Sequence, residues 1–292
     1  MFTNPVIARD FPDPDVLRVG STYYAFATNS GPVNVQVARS FDLVTWTAMP
    51  DALPSLPAWA RPGWTWAPDV SATSGGFVLY FVARHAASGK QCIGVATATV
   101  ASGPFRAAAA PLVCPLELGG AIDPASFVDA GGGRYLIWKN DGNCCSIPTR
   151  IYAQRISADG LALTAPAVVL LTNDREWEGD VIEAPTIWLQ DGRYHLFYSA
   201  NGYAGGAYSI GHAVGDSITG PFRKDAGPWM QSSQNVIGPG GQDIVRTPDG
   251  RTWLAYHTWT SSHAFRELDL GELTWTANGP AITRTRGAQP AP

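Results

Sequence analysis

The sequence predicts an all-β fold, a five-bladed β-propeller whose blades are four-stranded antiparallel sheets, and three observations carry that prediction. The first is a long repeat: aromatic-rich segments starting at Tyr23, Phe77, Arg134, Arg193 and Arg251 follow one another at intervals of 54, 57, 59 and 58 residues. Repeats of this length with four short strands each are the signature of propeller blades. The second is composition, with 31 Gly, 23 Pro and 11 Trp but only 15% charged residues, which suits many short strands joined by tight turns. The third is the lack of any capped segment with a sustained 3.6-residue apolar period, which argues against a doubly wound α/β fold. A sandwich or jelly roll would be all-β too, but neither predicts this repeat.

Each repeat opens on a turn with a polar or acidic residue, usually beside proline. The openings are Asp13-Pro14-Asp15-Val16, Ala67-Pro68-Asp69-Val70, Asp123-Pro124-Ala125-Ser126, Glu183-Ala184-Pro185-Thr186 and Gly240-Gly241-Gln242-Asp243. A Gly turn and the aromatic strand follow, as in Asp191-Gly192 before Arg193 to Tyr198. Third strands are expected over Val33 to Ala38, Ile93 to Ala98, Ile151 to Arg155 and Ile210 to Val214, then closing segments such as Leu43 to Trp46. Two closing segments share Gly-Pro-Phe, at Gly103 and Gly220. Five such units use up the chain, so residues 1–292 read as a single catalytic domain. Phe26 and Trp138 alternate with their strand neighbours as core residues do.

A net charge of -4 with no run of like charges offers no field for nucleic acid or anionic lipid. No apolar run approaches 18 residues, so no membrane span is expected. The start has neither a basic nor an apolar leader region, which leaves a cytoplasmic protein or a secreted one whose leader has been removed. Nothing in the sequence sets the oligomeric state. Cys92 and Cys114 flank one hairpin and are placed to pair, whereas adjacent Cys144 and Cys145 could pair only as a vicinal bridge. No Cys/His spacing resembles a zinc site.

Inner strands of a propeller line one central channel, so the repeat openings converge at its mouth. Asp13, Asp123 and Glu183 thus meet from three blades, each near a proline, with Asp69 and Asp243 at neighbouring offsets. An isolated Asp-Pro is ordinarily a turn. Three acidic residues in register are better explained by acid and base chemistry, because glycoside hydrolysis uses one protonated and one ionised carboxyl group. Mutual repulsion in a narrow channel would raise some of their pKa values.

These openings, with Asn4 to Ile7, Tyr23-Tyr24, Trp66 and Tyr256-His257, resemble glycoside hydrolase family 43 from about residue 4 to 285. The resemblance implies a five-bladed propeller acting on arabinose- or xylose-containing oligosaccharides with inversion. It implies Asp13 as general base, Glu183 as general acid, and Asp123 as the carboxylate that orients the acid and raises its pKa. Arg266 resembles an arginine that hydrogen-bonds the terminal sugar, the alternative being an ion pair with Glu267 or Asp269. Trp66 and Trp64 would stack on sugar or pack between blades. His257 would hold water or an ion, or sit satisfied in the core, and His85, His195, His212 and His263 are given no role. Gln242 stands where many members have a histidine near a central ion, which puts calcium in doubt, although its carbonyl oxygen could serve as a ligand. No cofactor is required by this reading. The segment Trp138 to Asn143 resembles exo-acting arabinofuranosidases, so the implied enzyme releases L-arabinose from α-1,5-linked arabino-oligosaccharides. A β-D-xylosidase or endo-arabinanase is the alternative within the family. A non-catalytic glycan-binding propeller is the alternative outside it.

Overall fold

Each of the five repeats folds into four antiparallel strands in sequential order, and the sheets are arranged as the propeller that the repeat predicts. The structure, a computed structural model, describes residues 2–284, so the extreme ends of the 1–292 unit lie outside the described residues. Blade 1 is β1 (Asp15–Val19), β2 (Thr22–Ala27), β3 (Gln36–Ser40) and β4 (Thr47–Ala48). Blade 2 is β5 (Ala60–Thr73), β6 (Gly76–His85), β7 (Gln91–Ala98) and β8 (Arg106–Ala107). Blade 3 is β9 (Ala121–Val128), β10 (Arg134–Asn140), β11 (Arg150–Ile156) and β12 (Val168–Thr172). Blade 4 is β13 (Ile182–Gln190), β14 (Arg193–Ala200), β15 (Ser209–Gly215) and β16 (Phe222–Lys224). Blade 5 is β17 (Gly240–Arg246), β18 (Thr252–Trp259), β19 (Arg266–Thr276) and β20 (Gly279–Arg284).

Side-chain alternation builds the ring. Successive residues of a strand point to opposite faces, so Ala25 packs against blade 5 beside Ala255 and Leu270, while Phe26 packs against blade 2 beside Leu79 and Phe81. Five apolar clusters result, each at an interface between neighbouring blades. Phe26 and Trp138 are buried as expected. The ring closes where Asn4, just ahead of blade 1, exchanges two hydrogen bonds with the backbone of Leu270 in β19, at 2.7 and 2.9 Å.

Local polar groups move some strand ends from where the sequence places them. β3 begins at Gln36 rather than Val33 because the Asp51 carboxylate takes the N–H groups of Asn34 and Val35. Leu43 to Trp46 is a turn, not a closing strand. There Asp42 accepts the N–H groups of Val44 and Thr45, the local side-chain bonding that competes with a sheet ladder. The Asp191-Gly192 hairpin matches expectation: both residues have positive φ, 51° and 75°, between paired Gln190 and Arg193.

Candidate active site

Each inner strand carries, within it or just before it, a residue in the left-handed backbone region. Asp13, Ala67, Asp123, Ala184 and Gly241 have φ of 54°, 37°, 52°, 46° and 54°. In blades 2 to 5 this residue lies inside a register shift of the inner strand, the bulge that re-aims side chains at a sheet end. Asp13 and Asp123 therefore hold equivalent positions. Glu183 does not: it precedes Ala184, the residue equivalent to Asp13, and matches Trp66 and Ile122 in blades 2 and 3.

Two residues after the left-handed position in blades 1, 2, 4 and 5, a second set of side chains binds blade to blade. Asp243 accepts the Val16 N–H at 2.8 Å, Asp15 the Val70 N–H at 3.0 Å and Asp69 the Ser126 N–H at 2.9 Å. Thr186 continues the series by donating its hydroxyl to the Gln242 carbonyl. Burial pushes all three carboxyls up, Asp69 to about 6 and Asp243 to about 7, and the charges of Asp69 and Asp243 add to the effect on Asp15.

Asp13, Asp123 and Glu183 instead share a cavity of about 310 Å³ with Thr28, Trp66, Asp141, Asn143, Cys144, Tyr203, Tyr208 and Arg266. Asp13 Oδ1 lies 3.2 Å from Arg266 Nη1 and 3.3 Å from His257 Nδ1, and the Thr28 hydroxyl donates to Oδ2 at 2.7 Å. Burial opposes a charge on Asp13. Arg266, His257 and Thr28 together outweigh it and hold the carboxyl well below the usual range. Asp123 accepts the Ala184 N–H at 2.9 Å. Its burial and the nearby Glu183 charge push it up to about 8, against the pull of Lys139.

Glu183 receives two side-chain donors: Tyr208 at 2.8 Å on Oε1 and Lys139 at 3.2 Å on Oε2. A raised pKa thus falls on Asp123, the carboxyl that sequence reasoning assigns to orienting the acid. Burial, with the Glu183 and Asp13 charges, keeps Tyr208 a neutral donor.

The remaining anticipated residues separate. Arg266 pairs with Asp13, and its guanidinium lies over the Tyr203 and Trp259 rings. Trp66 lines the cavity. Trp64 stands outside that lining, against Trp66 at 5.8 Å and beneath Arg84. His257 is fully buried behind Asp13, stacked on Tyr208, and burial together with Arg266 keeps it neutral near pH 7. Gln242 ties blade 5 to blade 4 through Ser199 and the Ala184 carbonyl.

Residues 2–281 match the family model described as glycosyl hydrolases family 43. The chain belongs to that family. Its family 43 relatives include a putative β-xylosidase of Xylanibacter ruminicola, 28% identical over 92% of this chain and 49% of that protein. An extracellular endo-α-(1→5)-L-arabinanase of Bacillus subtilis (strain 168) is 25% identical over 92% and 86%. An extracellular exo-α-(1→5)-L-arabinofuranosidase of Cellvibrio japonicus (strain Ueda107) is 27% identical over 92% and 85%. The chain thus spans about half of the first protein and most of the other two. Among solved structures, a thermostable family-43 glycoside hydrolase superposes with a TM-score of 0.88 at 30% identity, covering 100% of this chain and 99% of that one.

Gln242, which sequence reasoning offers as a ligand for a central ion, uses both ends of its amide on protein partners. Sequence reasoning did not single out Lys139, Asn143, Tyr208 or Thr28. A signal existed for Lys139: it extends the apolar run Leu136-Ile137-Trp138 and its side chain is fully buried, which a lysine requires a partner to tolerate.

Proposed function

We propose that this family 43 glycosidase is an inverting, exo-acting α-L-arabinofuranosidase that removes single arabinose units from α-1,5-linked arabino-oligosaccharides. The observation that carries the reading is the division of labour among three carboxyls around one cavity. Asp13 is held ionised by Arg266, while the neighbouring Asp123 retains its proton to about pH 8.

In the proposed reaction Asp13 draws a proton from a water molecule whose oxygen bonds to the anomeric carbon. The glycosidic C–O bond breaks on the opposite face, and Glu183 gives its proton to the departing oxygen. Inversion requires about 6.5–9.5 Å between the two carboxyls, room for that water. Asp123 acts through Glu183, which it orients by holding the N–H of the next residue, Ala184. Arg266 and Trp66 bind the terminal sugar. The cavity suits a substrate of one or two sugar units, since small-ligand sites start near 300 Å³. Two disulfides among the described residues, Cys92–Cys114 and Cys144–Cys145, favour an oxidising compartment.

A second reading, β-D-xylosidase, is favoured by the resemblance to the Xylanibacter protein. Turnover of p-nitrophenyl α-L-arabinofuranoside, p-nitrophenyl β-D-xyloside and dyed linear arabinan separates the readings. Release from the arabinofuranoside above the xyloside supports the first reading, and xyloside preference replaces it with the second. Rapid cleavage of dyed arabinan makes the enzyme endo-acting. Sugar binding without turnover on all three would leave a glycan-binding propeller.

A further inference from the structure

A short turn at Gly142–Cys145 follows β10, and its two adjacent cysteines are joined to each other. Cys144 is exposed and lines the same cavity as Asp13, Asp123 and Glu183. Cys145 lies behind it, half-buried, with Lys90 Nζ 2.6 Å from its sulfur. The turn rests on Gly119, where a Cβ would come within 3.4 Å of Cys145 Sγ and within 2.5 Å of the Asp141 carbonyl. The bridge is therefore seated against the scaffold on one side and open to the cavity on the other.

The stabilising effect of a disulfide grows with the loop it closes in the unfolded chain. Cys92–Cys114 closes one of 22 residues, but Cys144–Cys145 joins neighbours and encloses nothing. A role in global stability thus explains the first bridge and not the second. What the second does supply is a surface. Two sulfurs locked in a small covalent ring with their shared peptide bond form a polarizable, apolar patch without a hydrogen-bond donor, and neither side chain has rotamer freedom to lose when a ligand settles on it. The other polar groups of the cavity engage hydroxyls; a sugar ring also has a C–H face that needs an apolar, rigid neighbour.

We propose that the Cys144–Cys145 disulfide is a substrate-contacting wall of the pentose site, against which the C–H face of the sugar lies, so that its reduction weakens sugar binding. This rests on the glycosidase reading for its substrate, and the test keeps the two apart. Dithiothreitol gives two electrons and two protons to an S–S bond and closes to its own cyclic disulfide. Used mildly, it attacks the exposed bridge before the buried Cys92. Alkylation and peptide mass spectrometry verify which bridge has opened. The Cys144→Ser/Cys145→Ser double variant provides the same opening without reductant.

In both forms KM for p-nitrophenyl α-L-arabinofuranoside and the inhibition constant of arabinose should rise about five- to ten-fold, as for loss of a few tens of Å² of apolar contact. The melting temperature should stay within about 1 °C, since almost no loop entropy is involved, and reoxidation should restore affinity. Unchanged KM and inhibition constant with the bridge shown open overturn the proposal. So does a fall in kcat and melting temperature at constant KM, the mark of a purely structural role. Should the oxidised protein cleave no pentoside, the glycosidase reading fails by itself, and calorimetric titration with arabinose and xylose still decides the wall. Equal affinity of oxidised and reduced protein, or no binding to the oxidised form, overturns it.

Discussion

Asp13 and Asp123 occupy the same position of two different blades, each immediately before a proline and each with a left-handed backbone, at φ of 54° and 52°. Aspartate is among the few residues with a side chain that tolerate this conformation. The equivalence places both carboxylates at the cavity, while Asp15, two residues further on, serves the inter-blade ring through Val70. Asp13→Asn should therefore lower kcat by about 10³-fold or more, within the range for loss of a general base. Asp15→Asn should lower it less than about ten-fold, because its partner is a structural N–H. Steady-state kinetics on purified variants with matching circular dichroism check this, and equal losses would mean that the wrong carboxylate has been chosen.

Lys139 should set the upper pH limit of activity. Its charge pulls Asp123 down against burial and the Glu183 charge, which leave that carboxyl at about 8. If activity needs the Asp123 proton, kcat/KM should fall as pH rises through about 8. In Lys139→Met the downward pull is gone, the proton is held to higher pH, and the limb moves upward. Glu183 also loses a positioning contact, so kcat should drop roughly ten- to a hundred-fold, most for substrates with poor leaving groups. A pH profile whose basic limb stays in place, or moves down, argues against this coupling.

The Asp15, Asp69 and Asp243 ring makes stability depend on pH in a direction opposite to the usual carboxylate case. All three are raised in the folded protein. The contribution of Asp69 and Asp243 is fully present below the unfolded value, near pH 4, and is lost as pH rises through about 6 to 7, and that of Asp15 is lost in the same direction. The melting temperature should thus decline between pH 5 and pH 8. Asp243→Asn removes a buried negative charge and keeps an acceptor for the Val16 N–H, so it should flatten that decline by a few degrees, equivalent to ~2 kcal/mol. Scanning calorimetry from pH 4 to pH 8 reads the effect; parallel curves for the two proteins would show that the ring carries no such linkage.

Gly241 is the blade 5 counterpart of Asp13, and it sits beside the base where the ring closes. A Cβ there would lie 2.6 Å from His257 Nδ1 and 2.9 Å from Asp13 Oδ1. Gly241→Ala should displace Asp13 and His257 together, with about a hundred-fold loss of kcat from misplacement of the base. The overall fold should persist, since five separate inter-blade cores hold it. A variant of full activity would show that the base has more room than this packing allows.

Much of this was legible because a propeller repeats its physics. The aromatic second strands and the polar openings recur with the blade, so the fold and the two Asp-Pro carboxyls, Asp13 and Asp123, could be aligned by counting. What counting missed was local or lateral. Glu183 is one residue out of register with Asp13 and Asp123, and a bulge in β13 is what brings it to the cavity. Lys139, Tyr208 and Thr28 reach the carboxylates from second strands and loops of three different blades, and no spacing in the sequence announces that convergence. Arg266 could be assigned to neighbouring acids or to the site; its contact with Asp13 depends on ring closure between the first and last blades. The adjacent cysteines were visible, but their place in the cavity wall was not.

The central claim is that Asp13 and Glu183 cleave a pentoside by a single displacement, and proton NMR of the reaction as it runs tests it most directly. With an α-L-arabinofuranoside, or failing turnover a β-D-xyloside, the first sugar to appear should carry the opposite anomeric configuration to the substrate, before mutarotation mixes the two. A first product with retained configuration would contradict the account.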